Sequence, residues 1–162
     1  MQLNKILSNT VIVFFIFLID RCFKIYIVEF AELENQVDIY INTYLNFYLV
    51  WNKGIAFGLF SFEQNFLYHL ISLIIFIVSI VLIIMVLKSD GLKRYSLLSI
   101  LGGALSNFFD RIYYSAVPDF IDLHFNSFHW FIFNVADIFI TIGVICLILD
   151  ELFFYKKNNE IN

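Results

Sequence analysis

The chain has 162 residues, of which 61% are hydrophobic, 20% aromatic and only 15% charged. Soluble domains are usually about half apolar and about a quarter charged. The composition therefore excludes an ordinary water-soluble globule and predicts a single integral-membrane domain over residues 1–162. The formal net charge of −4 gives no support to a nucleic-acid partner.

Four apolar segments are long enough to cross a bilayer, because about 20 helical residues span about 30 Å of hydrocarbon. We predict helices at about residues 8–28, 66–87, 92–113 and 131–151. A cleaved signal peptide is the alternative interpretation of the first segment. However, Asp20 and Arg21 stand where small residues would mark a cleavage site, which favours a retained membrane anchor.

The basic residues predict the orientation of these helices. The segments that would share one side are the N-terminus, the loop 88–94 and the C-terminal tail. They contain Lys5, Lys88, Lys93, Arg94, Lys156 and Lys157. The opposite connections, an outer β-rich segment 29–65 and an outer loop 114–130, contain only Lys53. Since short cytoplasmic loops carry the excess of lysine and arginine, we expect both termini in the cytoplasm.

The outer segment 29–65 contains a run with a period of two. From Ile39 to Trp51, mostly apolar residues occupy the odd positions, and asparagine or tyrosine occupies most of the even positions. This alternation indicates a β-strand with one apolar face. The predicted fold is therefore an all-α membrane bundle of four transmembrane helices, with a small extracytoplasmic β-sheet lying at the membrane surface.

The outer loop 114–130 shows a shorter alternation. Asp119 shares one predicted strand face with three apolar residues, whereas Asp122 falls on the opposite face. We expect Asp119 to point toward apolar surroundings and Asp122 toward water.

A second acid interrupts an apolar helix. Asp137 lies in the fourth segment and has no basic residue within one turn on its own helix. A carboxylate in hydrocarbon is costly, which favours a functional role for Asp137. If Asp119 and Asp137 meet at the membrane surface, they can share a proton. Asp20 and Lys24 are four residues apart and can pair, so their interpretation is structural.

The order of short motifs along the chain resembles the bacterial lipoprotein signal peptidase (signal peptidase II) family. The motifs are Asn52-x-Gly54-x-Ala56-Phe57-Gly58, Gly103-Ala104-x-x-Asn107-x-x-Asp110-Arg111, Val117-x-Asp119-Phe120 and Phe133-Asn134-x-Ala136-Asp137. Each motif is short, but their order and separations are specific, and the likeness covers nearly the whole chain. Ser106 and Ala116 stand where the family commonly has glycine.

The resemblance implies an aspartic endopeptidase of the bacterial inner membrane, with Asp119 and Asp137 as its catalytic pair. Its substrates would be diacylglyceryl prolipoproteins, cleaved before the lipidated cysteine near the outer face of the membrane. By the same resemblance, further residues would hold the substrate backbone or support the pair: Asn52, Gly54, Asn107, Arg111 and Asn134. Asp20 and Lys24 would be structural or supporting residues. The expected partners are these signal peptides and membrane lipids, and the enzyme is expected to be a monomer.

No cofactor and no metal are expected, because His69, His124 and His129 lack a recognised ligand spacing. Two other functions remain open at this point. Buried acids also suit a small proton-coupled carrier, although the chain shows no internal repeat. A non-enzymatic assembly partner could use the outer sheet as a docking surface.

Overall fold

The structure is a computed structural model, described over residues 2–34, 38–54, 64–126 and 128–159. The helices of this described part are α1 (Gln2–Glu34), α2 (Gln64–Lys88), α3 (Gly91–Tyr114) and α4 (Val135–Asn159). Its strands are β1 (Asp38–Asn42), β2 (Leu45–Asn52), β3 (Val117–Phe125) and β4 (Phe128–His129). The strands form one antiparallel sheet in the order β1-β2-β3-β4. The predicted combination of four helices and a small sheet is confirmed.

The helix limits differ from those predicted because apolar runs do not mark where helices end. α1 continues to Glu34 through residues with good helix propensity. Only Ser89 and Asp90 separate α2 from α3, where a loop over 88–94 was predicted. α4 begins at Val135 instead of near 131, because Asn134 accepts a hydrogen bond at the helix start from the Asp137 amide.

The alternating segment from Ile39 to Trp51 forms a hairpin and not one continuous strand. Its two halves, β1 and β2, pair antiparallel with Ile39 opposite Phe47. Asn42 reverses the chain between them, since its Oδ1 accepts a 2.8 Å hydrogen bond from the Tyr44 amide. Asparagine side chains favour such turns because they replace a backbone acceptor.

β3 joins the hairpin to the start of α4. Its Asp119 lies opposite Val50 of β2, after a register shift between Phe47 and Val50. On its other side, the amides of Phe120 and Ile121 donate to the Phe133 carbonyl at 3.0 and 2.8 Å. These bonds hold the residues before α4 against the middle of β3.

α3 packs against the other three helices. It approaches α4 closely at Gly103, where an added Cβ would lie 2.5 Å from the Ala136 carbonyl oxygen. Small residues permit such approaches between membrane helices. A glycine at this position therefore brings α3 directly against the first turn of α4.

Many large apolar side chains lie on the outside of the bundle. Phe14 and Phe15 of α1 are 60% and 61% exposed, and Ile74 of α2 and Ile145 of α4 are each 51% exposed. Soluble monomers rarely expose contiguous apolar surface of this kind. Among the described helices, the segment Tyr68–Lys88 is long and apolar enough to cross a membrane by itself.

Candidate active site

Asp119 and Asp137 come from different elements but meet around one residue, Asn134. Asp119 is the third residue of β3, and Asp137 is the third residue of α4. The fully buried Asn134 side chain donates to Asp119 Oδ1 at 2.6 Å, and its backbone amide donates to Asp137 Oδ2 at 3.1 Å. The fold therefore brings the two predicted acids to one site.

Asp119 is held by two neutral amides. Besides Asn134, Asn52 at the end of β2 donates to Asp119 Oδ2 at 2.9 Å. The aspartate is only 4% exposed. Burial raises the pKa of the Asp119 carboxyl from 3.8 to about 6, and the nearby Asp137 charge contributes in the same direction. The two amide hydrogen bonds lower the pKa but do not reverse the shift.

Asp137 is fixed at the start of α4. Its backbone amide donates to Asn134 Oδ1 at 3.1 Å, while its own Oδ2 accepts from the Asn134 amide. This reciprocal arrangement is a capping box. Asn107 of α3 donates to the remaining oxygen, Oδ1, at 2.9 Å. Each oxygen of both carboxyl groups thus accepts a hydrogen bond from an uncharged N–H group.

A group of charged residues lies behind Asn107, and we call it the ion network: Asp20, Arg21, Lys24 and Asp110. Lys24 Nζ lies 2.7 Å from Asp20 and 2.6 Å from Asp110, and all three side chains are fully buried. Arg21 Nη2 lies 2.5 Å from the other Asp110 oxygen. The pairing of Asp20 with Lys24 that their spacing allows is present.

Asn107 connects the ion network to Asp137. Its Oδ1 accepts a 2.8 Å hydrogen bond from Lys24 Nζ, while its Nδ2 donates to Asp137. Asp20 makes a second connection, since its Oδ1 accepts from the Ala136 amide at 2.8 Å. The ion network therefore orients the first turn of α4.

Gly54 and Arg111 lie beside this site. The Gly54 amide donates to Asn52 Oδ1 at 2.7 Å, and its φ of +82° favours glycine. An added Cβ at Gly54 would lie 3.1 Å from Arg111 Nη1. Tyr68 of α2 donates to the Arg111 carbonyl. The remaining residues of this motif, Ala56, Phe57 and Gly58, lie outside the described residues.

Sequence reasoning was wrong about Asp122. The residue is 5% exposed and does not face water, because the His129 side chain of β4 lies against its carboxylate. Its carboxylate accepts a 2.9 Å hydrogen bond from His129 Nδ1 if that nitrogen carries the proton.

Two contributors near the site escaped sequence reasoning, Arg21 and Ser106. Arg21 pairs with Asp110, 89 positions away in sequence, and local spacing carries no signal for such a pair. Ser106 donates to Asp20 Oδ2 at 2.6 Å and is fully buried. Its departure from the usual glycine was visible in the sequence, but its partner was not.

The fold and site together define a helical membrane protein with two acids bound by neutral amides next to a small sheet. The family described as signal peptidase (SPase) II matches residues 12–153. The chain belongs to this family and is therefore a membrane peptidase.

Relatives and solved structures agree with this assignment. The chain is 57% identical over 162 residues to the lipoprotein signal peptidase of Pelagibacter ubique (strain HTCC1062), covering 99% of this chain and 98% of the relative. It is 34% identical over 166 residues to that of Anaplasma phagocytophilum (strain HZ), covering 99% of each.

Two solved structures of a bacterial membrane enzyme share the fold. One has a TM-score of 0.74 at 28% identity, over 90% of this chain and 92% of that chain. The other has a TM-score of 0.70 at 29% identity, over 90% and 87%. The predicted family is confirmed.

Proposed function

We propose that this peptidase is an aspartic endopeptidase that removes signal peptides from diacylglyceryl-modified prolipoproteins. Asp119 and Asp137 form its catalytic pair, and cleavage falls immediately before the lipidated cysteine. The observation that carries the proposal is the binding of both carboxyl groups by Asn134, through its side chain and its backbone amide.

The surroundings of the two acids suit a pair that shares one proton. Two neighbouring carboxyl groups in a dry site do not both ionise easily. The ionised carboxylate accepts a proton from water, and that water attacks the scissile carbonyl carbon. The protonated carboxyl donates to the carbonyl oxygen and stabilises the developing negative charge.

The neutral amides give this mechanism its geometry. Asn52, Asn107 and Asn134 fix the direction of the carboxyl oxygens, yet none of them carries a charge that would hold the pair fully ionised. The buried Asp119, with its pKa raised to about 6, keeps a proton to higher pH than an ordinary aspartate does. The amides therefore orient the acids and leave them free to exchange a proton.

Gly54 and Arg111 serve the substrate in this proposal. The positive φ of Gly54 and the absence of a side chain leave its backbone open to a peptide in extended conformation. Arg111, whose guanidinium lies against Gly54, supplies donors for a peptide carbonyl on the same side. Lys24 supports the pair through Asn107, and Asp20 supports it through the Ala136 amide.

The same proposal places all four helices across the bacterial inner membrane, with both termini in the cytoplasm. The exposed apolar side chains of α1, α2 and α4 support lipid contact. The charged residues of the ion network, on α1 and α3, face each other within the bundle, which removes them from lipid. A monomeric enzyme would then receive its substrate sideways from the bilayer, close to the outer face.

A cleavage assay with purified, reconstituted enzyme tests the proposal. A diacylglyceryl precursor is the substrate, and its unlipidated form is the comparison. Asp119→Asn and Asp137→Asn should each lower the cleavage rate by about 10²–10⁴-fold, because each removes an acid–base group. The control variant Asp38→Asn, which removes an exposed carboxylate on β1, should cleave the precursor at the wild-type rate.

Two results would contradict the proposal. One is normal cleavage by either variant of the pair while the protein accumulates in the membrane. The other is purified protein that moves protons across vesicles but never cleaves the lipidated precursor, which would favour the carrier. Equal cleavage of the unlipidated precursor would remove the lipid requirement and leave the acid pair in place.

A further inference from the structure

A second group of polar side chains lies on the strand face opposite Asp119. It consists of Asp122 and His124 of β3 and His129 of β4, and their ligand atoms all lie within 4.8 Å of one another. His129 Nδ1 is 2.9 Å from Asp122 Oδ2, and His124 Nδ1 is 3.7 Å from the same oxygen. We call these three residues the His–Asp cluster.

Strand pairing brings the His–Asp cluster together. His124 lies opposite His129 in the β3–β4 ladder, and their rings stack with centroids 5.1 Å apart. Asn126 reverses the chain between the strands with a φ of +53°, a conformation that asparagine tolerates better than most residues. The ligand set therefore depends on a tight turn and not on a helical spacing.

Two unsatisfied atoms at the cluster point to a missing partner. Within the described part of the chain, the buried Nδ1 of His124 has no hydrogen-bond partner. The buried Oδ1 of Asn46, which lies directly opposite Asp122 on β2, has none either. Buried polar atoms are nearly always satisfied, so each of these requires a ligand or a water.

A cavity of about 360 Å³ opens beside these atoms. Asp122, His129 and Asn46 line it, together with Asp38, a second carboxylate. Two carboxylates and an orphan amide oxygen make the cavity favourable for a cation. A hydrogen bond between His129 and Asp122 alone would account for neither the second histidine nor the unpaired oxygen.

We propose that the His–Asp cluster binds a divalent transition-metal ion of the zinc type. Neutral imidazole nitrogens and a carboxylate oxygen are preferred ligands of Zn²⁺, and three protein ligands leave a fourth position open. That position faces the cavity, where Asn46 Oδ1 or a water completes the coordination. The site lies on the opposite face of β3 from Asp119, so the metal takes no part in the reaction.

The bound metal stabilises the β3–β4 turn. It joins the side chain of His129, which is 57% exposed, to the buried side chain of Asp122 and the mostly buried side chain of His124. Only residues 130–132 separate β4 from Phe133 and Asn134, so the metal also anchors the segment that leads to the acid pair.

Zn²⁺ binding to the purified full-length protein in detergent tests the proposal by isothermal titration calorimetry. We expect one Zn²⁺ per chain in the wild type and at least tenfold weaker binding in Asp122→Asn and His129→Ala. The matched control is His69→Ala, which removes the exposed histidine of α2 and should leave binding unchanged. Co²⁺ in place of Zn²⁺ should give the visible absorption of a tetrahedral site, and this absorption should be lost in the same two variants.

His124→Gln separates metal ligation from structural damage. In the described part of the chain His124 Nδ1 makes no hydrogen bond, so this substitution breaks no hydrogen bond at that atom. At least tenfold weaker Zn²⁺ binding with unchanged helical circular dichroism would support ligation. Absence of Zn²⁺ binding in the wild type would overturn the site, as would equal affinity in His124→Gln or equal loss in His69→Ala. None of these readouts requires peptidase activity, so the metal site is tested independently of the proposed reaction.

Discussion

The buried acids next to α3 fall into two groups with different partners. In the ion network, Asp20 and Asp110 contact the cationic groups of Lys24 and Arg21 at 2.5–2.7 Å. In the acid pair, every hydrogen bond that Asp119 and Asp137 accept from the described residues comes from an uncharged amide. Within the described ranges of the chain, only the Asn107 side chain makes hydrogen bonds to both groups.

The difference teaches how the same residue type serves two purposes in one bundle. A cation cancels the charge of a buried carboxylate and fixes its position, which makes the ion network a structural brace between α1 and α3. An amide orients a carboxylate without neutralising it, so proton exchange remains open. The comparison therefore predicts that damage to the ion network unfolds the protein, whereas damage to the acid pair stops the chemistry.

The largest effect on stability should come from Lys24→Met. The substitution leaves two fully buried carboxylates without their shared cation, and breaking a buried pair in this way costs about 3–5 kcal/mol. Denaturant unfolding of the detergent-solubilised protein measures the loss. The control is Lys5→Met, which removes the partly exposed partner of the exposed Asp90 and should change stability by at most about 1 kcal/mol. Similar losses in the two variants would show that burial does not distinguish these ion pairs.

An intermediate effect is expected from pH in the acid pair. Because the pKa of Asp119 is raised from 3.8 to about 6 on folding, the native state binds the proton more tightly than the unfolded state. Stability must therefore fall as pH rises through this window, by about 3 kcal/mol for one group. Asp119→Asn cannot titrate and should lose less stability between about pH 4 and about pH 7.

Thermal unfolding at several pH values measures this difference. Asp38→Asn controls for the removal of one negative charge from the same part of the molecule. Parallel pH profiles for wild type and Asp119→Asn would mean that burial does not hold a proton on this carboxyl.

The smallest effect should follow Asn107→Ala, which removes the side-chain connection between the two groups and leaves the Asp20–Ala136 hydrogen bond in place. The loss of one hydrogen bond to Asp137 should slow cleavage about tenfold, and stability should fall by about 1–3 kcal/mol. Ser99→Ala is the matched control, because Ser99 donates to the Phe139 carbonyl between the same two helices. A loss of stability in both variants, with slower cleavage in Asn107→Ala alone, would support the bridging role. Equal cleavage rates for Asn107→Ala and the wild type would contradict the bridging role.

Local sequence patterns predicted which helices and strands form better than they predicted the residues at which those elements begin and end. Long apolar runs predicted the four helices, and alternation predicted a sheet, because both signals arise from one buried face. The turn at Asn42 escaped this reasoning, since alternation continues through it and a side-chain hydrogen bond decides where β1 ends. Likewise, alternation placed Asp122 on the face opposite Asp119, but it contained no information about His129 of β4, whose side chain contacts Asp122.

The sequence by itself determined a membrane protein with four helices, a small sheet and two acids in unusual places, and its motifs identified the peptidase family. These properties depend on composition, short spacing and motif order. Only the tertiary structure decided which groups meet: Asn134 with both acids, Lys24 with Asp110, and His129 with Asp122. The partners within α-helices and strands follow from local geometry, but partners on different elements follow from how those elements pack, as at the close approach of Gly103 to Ala136.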